Sequence, residues 1–369
     1  MKFASQIHFS LLVIAFVAPT ILSQTSTEKE SQQSRVANLK FSDVRAPKED
    51  WTGPGSLIDP ATSINSSENV EPGAGAVESA QNYYRAGAAR INDGHYKEAI
   101  ASLKVALELD PHSSAVYEEL GYAYFGLAEY EDSIKAYERA VSLGPTSLFT
   151  RRSLAIVYLT SKKPEQAIPP LLEASRLEPK NALNHYLLAV AYDDSDQLDN
   201  AIDQYLRSLA LDPNHYRSYI GLGAIYTHQS RSKEAIGLFR KAIQLKPELG
   251  EGYIALGNVL NSTGSLKEAI HHYELAVKLN PEDPLAQNNL GVAYLNIGKK
   301  KEGLAAFKNA VTLRPQDGQI HLNLARAYLH VRDRDSALAE YNVLRAIDSS
   351  LAKIIYGEIF QNRVLKVRD

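Results

Sequence analysis

The 369-residue chain has no cysteine, one tryptophan (Trp51) and one methionine, Met1. Without cysteine there is no disulfide framework, no thiol nucleophile and no lipid-attachment cysteine. Charge of one sign is also missing. Forty Lys and Arg stand against 43 Asp and Glu, a formal net charge of −3, and no cationic stripe is visible for releasing the counterions of a phosphate backbone. Nucleic acid is therefore not expected as a partner. No P-loop, HExxH or GxSxG pattern occurs, and Gly221-Leu222-Gly223 reads as helix packing, not as a dinucleotide fingerprint. His271 and His272 are adjacent on a helix and point in different directions, a poor metal pair. The expectation is a protein that is not an enzyme and holds no cofactor and no metal.

What the chain does have is a proline period. Pro111, Pro145, Pro179, Pro213, Pro247, Pro281 and Pro315 are spaced 34 residues apart. Each closes a similar phrase, from ALELDP to AVTLRP, and a proline just past an apolar run reads as a helix stop. A fixed period of this size marks a stacked repeat array. In frames starting at Ala80, a leucine and a small residue recur as Leu120-Gly121, Leu154-Ala155, Leu188-Ala189, Leu222-Gly223, Leu256-Gly257, Leu290-Gly291 and Leu324-Ala325. A second segment carries a small residue (Ala99, Ala167, Ala201, Ala235, Ala269, Ala337) and, four residues on, a large one (Leu103, Tyr137, Leu171, Tyr205, Phe239, Tyr273, Phe307, Tyr341). Helical spacing puts these on one face, where small residues let two helix axes approach and large ones fill the space beside them. His185 and His321 stand where other repeats place a packing aromatic, so core filling is expected of them.

In length, order and residue type this pattern resembles the tetratricopeptide repeat (TPR) family, with its W-x2-L-G-x2-Y…A-x3-F…P signature, over residues 80–351 in eight repeats. The resemblance implies an all-α, right-handed superhelical solenoid of helix-turn-helix units. In the eighth repeat Leu344 replaces a small residue and Ser349 the closing proline. Residues 352–369 then read as a capping helix and tail, whose Ile354, Ile355, Ile359 and Phe360 leave a dimerisation role open. Pro169-Pro170 falls inside the second helix of the third repeat, where an interior proline costs about 3 kcal/mol. A kink or a shortened helix is expected there.

Residues 1–23 begin with Lys2, run through an apolar stretch from Phe9 to Val17 and end on Ile21-Leu22-Ser23, the layout of a secretory signal peptide. The chain is therefore expected to be exported, to a periplasmic or extracellular place, with a membrane anchor formed by an uncleaved segment as the alternative. Residues 24–79 are rich in Ser, Pro, Gly and charge and are expected to be a disordered linker, with Trp51 either a bystander or a docking motif. Asn65-Ser66-Ser67 and Asn261-Ser262-Thr263 have the form of glycosylation acceptors.

Function must come from the surface that the repeats build. In TPR proteins the groove side chains come from fixed places on each first helix. Carried over, those places hold Tyr84, Tyr122, Phe125, Phe149, Arg152, Tyr186, Asp193, Arg217, His228, Asn258, Asn261, Asn288 and Arg326. The first half of this set is aromatic and suits apolar anchors. Its Asn residues suit the N–H and C=O groups of an extended peptide. The lysine-and-asparagine carboxylate clamp of some TPR cochaperones is not reproduced, since Tyr84 and Ala88 occupy its first places. An asparagine ladder like that of O-GlcNAc transferases is matched only by Asn289 and Asn323. The expected role is a scaffold or adaptor that holds a protein or peptide in its groove, supporting assembly of an envelope or secreted complex. The alternative is a structural, self-assembling homo-oligomer joined through terminal repeats or the C-terminal helix.

Overall fold

The structure, a computed structural model, describes residues 74–144 and 148–364, with side chains described over 78–144 and 148–360. The expectations placed on residues 1–73, including Trp51 and Asn65, lie outside the described residues, as does Pro145. Every regular element among the described residues is an α-helix, and these residues divide into two compact units at Pro213.

The N-terminal unit holds four helix pairs: α1 (Ala74–Asn92) with α2 (Tyr96–Leu109), α3 (Ser114–Gly126) with α4 (Tyr130–Ser142), α5 (Leu148–Thr160) with α6 (Pro164–Leu177), and α7 (Ala182–Asp194) with α8 (Leu198–Leu211). The C-terminal unit holds four more: α9 (Tyr216–His228) with α10 (Ser232–Leu245), α11 (Gly250–Ser262) with α12 (Leu266–Leu279), α13 (Pro284–Asn296) with α14 (Lys300–Leu313), and α15 (Gly318–His330) with α16 (Arg334–Ile347). A final helix, α17 (Ser349–Val364), follows.

The turn inside each pair is built the same way. One residue takes a left-handed conformation: Gly94, Ala128, Lys162, Asp196, Ser230, Gly264, Gly298 and Arg332, with φ between 58° and 83°. The N–H of the next residue then donates to the carbonyl five positions back, as in His95 to Arg90, Arg231 to Tyr226 and Asp333 to Tyr328, at 2.8–2.9 Å. This closure satisfies carbonyls that the helix end would leave open. Only three of the eight are glycine, so the other five hold the left-handed turn against the Cβ clash that disfavours it.

Packing within a pair turns on the small residue of the first helix. A Cβ built on Gly121 would stand 2.7 Å from the Tyr137 ring, one on Gly223 2.6 Å from Phe239, and one on Gly257 2.6 Å from Tyr273. The large residues of the second helices, Leu103, Tyr137, Leu171, Tyr205, Phe239, Tyr273 and Phe307, are all buried. In the third pair the smaller Leu171 accompanies Ala155, and both are fully buried.

The two histidines in the packing register are buried and bonded at both ring nitrogens. His185 Nδ1 lies 2.7 Å from Gln204 Oε1, and Nε2 lies 3.1 Å from the Pro179 carbonyl. His321 Nδ1 lies 2.6 Å from Glu340 Oε2, and Nε2 donates to the Pro315 carbonyl at 3.0 Å.

The expected shortening at Pro169-Pro170 is not found: α6 runs unbroken over Pro164–Leu177, as long as its counterparts. Pro169 is exposed and Pro170 half-buried. The two missing N–H groups leave the carbonyls of Glu165 and Gln166, both exposed residues, for water to satisfy.

The capping helix is longer at its start than the sequence suggested. Asp348 Oδ1 accepts from the N–H of Ser350 (2.8 Å) and of Leu351 (3.1 Å), so α17 begins at Ser349. These bonds hold the Asp348 carboxyl below the usual carboxylate range. Its Ala352, Ile355 and Ile359 are buried against Leu322, Ala325, Ala337 and Leu344. Leu344 thus has a partner for the bulk that other repeats do not carry at that place.

Candidate functional site

In the N-terminal unit the expected groove residues reach different depths. Tyr84 and Tyr122 are half-buried, their rings packed on the apolar cluster around Leu103 and Leu120. Phe125 leans on Tyr130 with ring centroids 5.7 Å apart, and Phe149 is half-buried in the first turn of α5. Arg152 lies 3.7 Å from Glu178, and burial pulls its guanidinium pKa down. Glu118 of α3 accepts a hydrogen bond from Thr150 of α5. Tyr186 and Asp193, placed in the groove by register, are buried instead at 1% and 7% exposure. The Tyr186 ring packs on Tyr205 of α8 with centroids 6.2 Å apart. Register fixes which way a residue points, but the size of its neighbours fixes how deep it ends.

In the C-terminal unit Arg217 is half-buried, with its guanidinium 5.5 Å from the Tyr216 ring centroid, and His228 is exposed at the end of α9. The asparagines form a row that crosses three first helices. Gln319 Nε2 of α15 donates to Asn323 Oδ1 (3.3 Å), and Asn323 Nδ2 donates to Asn288 Oδ1 on α13 (2.9 Å). Asn288 Nδ2 reaches Asn289 Oδ1 (3.4 Å), and Asn289 Nδ2 donates to Asn258 Oδ1 on α11 (3.0 Å). The Tyr273 hydroxyl from α12 also donates to Asn258 Oδ1, at 2.7 Å. One turn on, Asn296 Nδ2 reaches Asn261 Oδ1 at 3.4 Å.

This row sorts the asparagines by task. Asn288 and Asn323 are buried, and the bond from Asn323 Nδ2 to Asn288 Oδ1 ties α15 to α13. Asn258 and Asn261 are half-buried and act here only as acceptors; their Nδ2 groups donate to no described residue. An amide carries two N–H donors, so these two, three residues apart on one helix face, are left for a further acceptor.

Arg326 is engaged by the cap. It meets Glu358 of α17 with Nε at 3.0 and 3.2 Å and Nη2 at 2.7 Å from the carboxylate oxygens. Nothing in the sequence pattern of α15 announces this, because the partner lies beyond the repeat frame. Asn289, Asn323, Gln319 and Tyr273 also stand outside the expected groove set. The only signal for them was the recurrence of Asn289 and Asn323 at matching places of adjacent repeats.

The Asn261-Ser262-Thr263 acceptor form is folded into the end of α11, where the Ser262 and Thr263 hydroxyls both donate to the Val259 carbonyl at 2.9 Å. No group of three or more His, Asp or Glu among the described residues is placed to hold a metal ion, and no described helix is long and apolar enough to cross a membrane.

A comparison with curated proteins finds no match. Among solved structures the chain is similar to one in the Cut9–Hcn1 hetero-tetramer of the APC/C, at 20% identity and a TM-score of 0.56. That likeness covers 72% of this chain and 52% of the other, so the chain spans about half the length of that relative. It is also similar to pilF of Pseudomonas aeruginosa, at 22% identity and a TM-score of 0.51, over 57% of this chain and 97% of the other. These likenesses concern the fold alone. The tetratricopeptide repeat profile matches residues 79–147, 152–215, 186–249 and 289–352, and a second TPR repeat profile matches 257–298. The chain belongs to the tetratricopeptide repeat family.

Proposed function

We propose that this chain is an exported scaffold that holds an extended segment of a partner protein on the face of its first helices and so supports assembly of an envelope or secreted complex. The observation that carries the reading is the pair of unspent amide donors on α11, at Asn258 and Asn261, beside an amide row that is otherwise satisfied. Donors in that position suit the carbonyls of an extended backbone, which recur along a strand whatever its side chains. Half-buried rings in the N-terminal unit, Tyr122, Phe125 and Phe149, offer contact area at low entropic cost for apolar side chains. Export rests on the layout of residues 1–23, with its single lysine, its apolar run and its small residue at Ser23.

The test is affinity capture from an extract of the source cells, comparing the native chain with a variant carrying Phe149→Ala, Asn261→Ala and Asn296→Ala. None of these side chains is fully buried, so the variant keeps its helicity, which circular dichroism checks. A protein retained by the native chain and lost by the variant supports the reading. Equal retention by both refutes it, and a mature protein whose mass still includes residues 1–23 refutes cleavage at the expected place.

A further inference from the structure

Charge is distributed unevenly between the two units. Residues 74–213 carry 13 Lys and Arg against 20 Asp and Glu, and residues 214–369 carry 21 against 15, so the formal charges are −7 and +6. Part of the asymmetry falls at the second residue of each second helix. There the N-terminal unit holds Lys97, Glu131, Glu165 and Asp199, and the C-terminal unit holds Lys233, Lys267, Lys301 and Asp335. All eight are exposed. Only Glu131 has an ion pair among the described residues, with Lys163 at 2.7 Å, and its side chain stays 66% exposed.

Two features set this stripe apart from an ordinary solvated face. A helix N-terminus carries partial positive charge and favours acids in its first turn. Glu131, Glu165 and Asp199 obey this, whereas Lys233, Lys267 and Lys301 oppose it at the start of α10, α12 and α14, each followed by a glutamate that offsets part of the effect. Lysine is thus placed three times in succession where the helix itself disfavours it. The second feature is the order of signs. Read forward through the N-terminal unit the stripe is Lys, Glu, Glu, Asp; read backward through the C-terminal unit it is Asp, Lys, Lys, Lys. Rank by rank the two orders are opposite in sign: Lys97 against Asp335, Glu131 against Lys301, Glu165 against Lys267, and Asp199 against Lys233.

We infer that the partner of this stripe is a second copy of the chain, with the N-terminal unit of each copy set in reversed order against the C-terminal unit of the other. Such an arrangement is isologous: each pair recurs by the two-fold axis, as in the commonest class of homo-oligomer. The common 34-residue period supplies the register, because both units present the same place of the frame at the same interval. Single exposed ion pairs contribute little, so the association is weak, salt-sensitive and dependent on the whole row. The inference does not rest on the groove reading, because none of the eight residues lies on a first helix.

Sedimentation velocity of the full chain tests it, with three variants beside the native protein. The first carries Lys233→Glu, Lys267→Glu and Lys301→Glu; the second carries Glu131→Lys, Glu165→Lys and Asp199→Lys. The third is a control of equal charge change off the stripe: Lys241→Glu, Lys278→Glu and Lys353→Glu. The native chain is expected to reach dimer mass at concentrations of about 100 µM or below. Its dimer should weaken about tenfold or more between about 0.05 M and about 0.5 M salt. Each stripe variant alone should lose the dimer, their equimolar mixture should regain it, and the control should keep it. A native chain of single-chain mass at low salt overturns the inference. So does a stripe variant that dimerises like the native chain, a mixture that fails to associate, or a control that loses the dimer as fully as the stripe variants.

Discussion

Glycine-to-alanine exchange should have opposite signs at two places in adjacent repeats of the C-terminal unit, Gly237 on α10 and Gly257 on α11. In a helix interior the exchange gains about 1 kcal/mol from backbone entropy. At Gly237 the new Cβ meets nothing within 4 Å and the residue is exposed, so the gain is kept, at about 0.5–1 kcal/mol. At Gly257 the Cβ would stand 2.6 Å from Tyr273 Cε1 and 2.8 Å from Cδ1. The ring cannot swing away cheaply, since Tyr273 is 2% exposed and its hydroxyl is bonded to Asn258 at 2.7 Å. Overpacking costs about 1–3 kcal/mol, and losing that bond about 1 kcal/mol more. Gly257→Ala should therefore destabilise by about 1–3 kcal/mol net of the helix gain. Repeat arrays unfold in segments, so the sharp assay is hydrogen exchange of α11 and α12 amides beside a urea titration. Protection there should fall about tenfold or more in Gly257→Ala, while α10 amides become slower in Gly237→Ala. If Gly257→Ala is neutral or stabilising, the close approach of ring and backbone is not what holds these helices together.

Ser230→Gly should stabilise the C-terminal unit by about 0.5–1 kcal/mol, because it relieves a non-glycine residue at φ 60°; an unchanged or lowered urea midpoint refutes that. The His321 pKa is raised above its ordinary value, chiefly by its bond to Glu340, with Asp317 adding to the effect. With both ring N–H groups donating, its contribution to stability is full below the unfolded pKa of about 6.5 and lost as pH rises through the folded value. The thermal midpoint of the native chain should therefore fall on the alkaline side relative to His321→Gln, and parallel pH profiles would refute the pairing. Arg326→Ala removes a bidentate pair with Glu358 and should loosen α17 by about 1–2 kcal/mol, read as faster exchange confined to α15 and α17; protection equal to the native chain's would show that apolar packing alone seats the cap.

How far the sequence can be read depends on which physical constraint a residue reports. The proline period and the small-large pattern report backbone termination and close packing, which leave residue-type marks, so the helix pairs and the small-large packing were legible. The left-handed turn residue carries a residue-type mark at Gly94, Gly264 and Gly298 and none at Ala128, Lys162, Asp196, Ser230 and Arg332, because backbone geometry there is imposed by the helices on either side. The helix keeps its length at Pro169 and Pro170 for the complementary reason. Their cost depends on whether water can reach the carbonyls they free, and exposure is a property of the assembled helix. In the candidate site, depth was not readable. Tyr186 and Asn288 sit where the frame puts them, yet the neighbours that bury them come from other helices, and Glu358 reaches Arg326 from beyond the frame altogether.

The repeat frame also shows where a function can be recorded. At the glycine that meets Tyr273 or Phe239 the fold dictates the residue, so that place says nothing about a partner. At the left-handed turn the fold dictates the backbone and leaves the side chain free, and five different residue types besides glycine occur there. The second residue of each second helix is constrained by neither packing nor backbone, and the one preference it has, for acid at a helix N-terminus, is overridden at Lys233, Lys267 and Lys301. Variation at a free position should be patternless if nothing reads it. Here it is ordered by unit and complementary under reversal, as is expected of a surface that meets its own counterpart. The unspent Nδ2 donors of Asn258 and Asn261 meet the same criterion on the other helix of the pair: the core uses the Asn258 oxygen, through Tyr273, and not these donors.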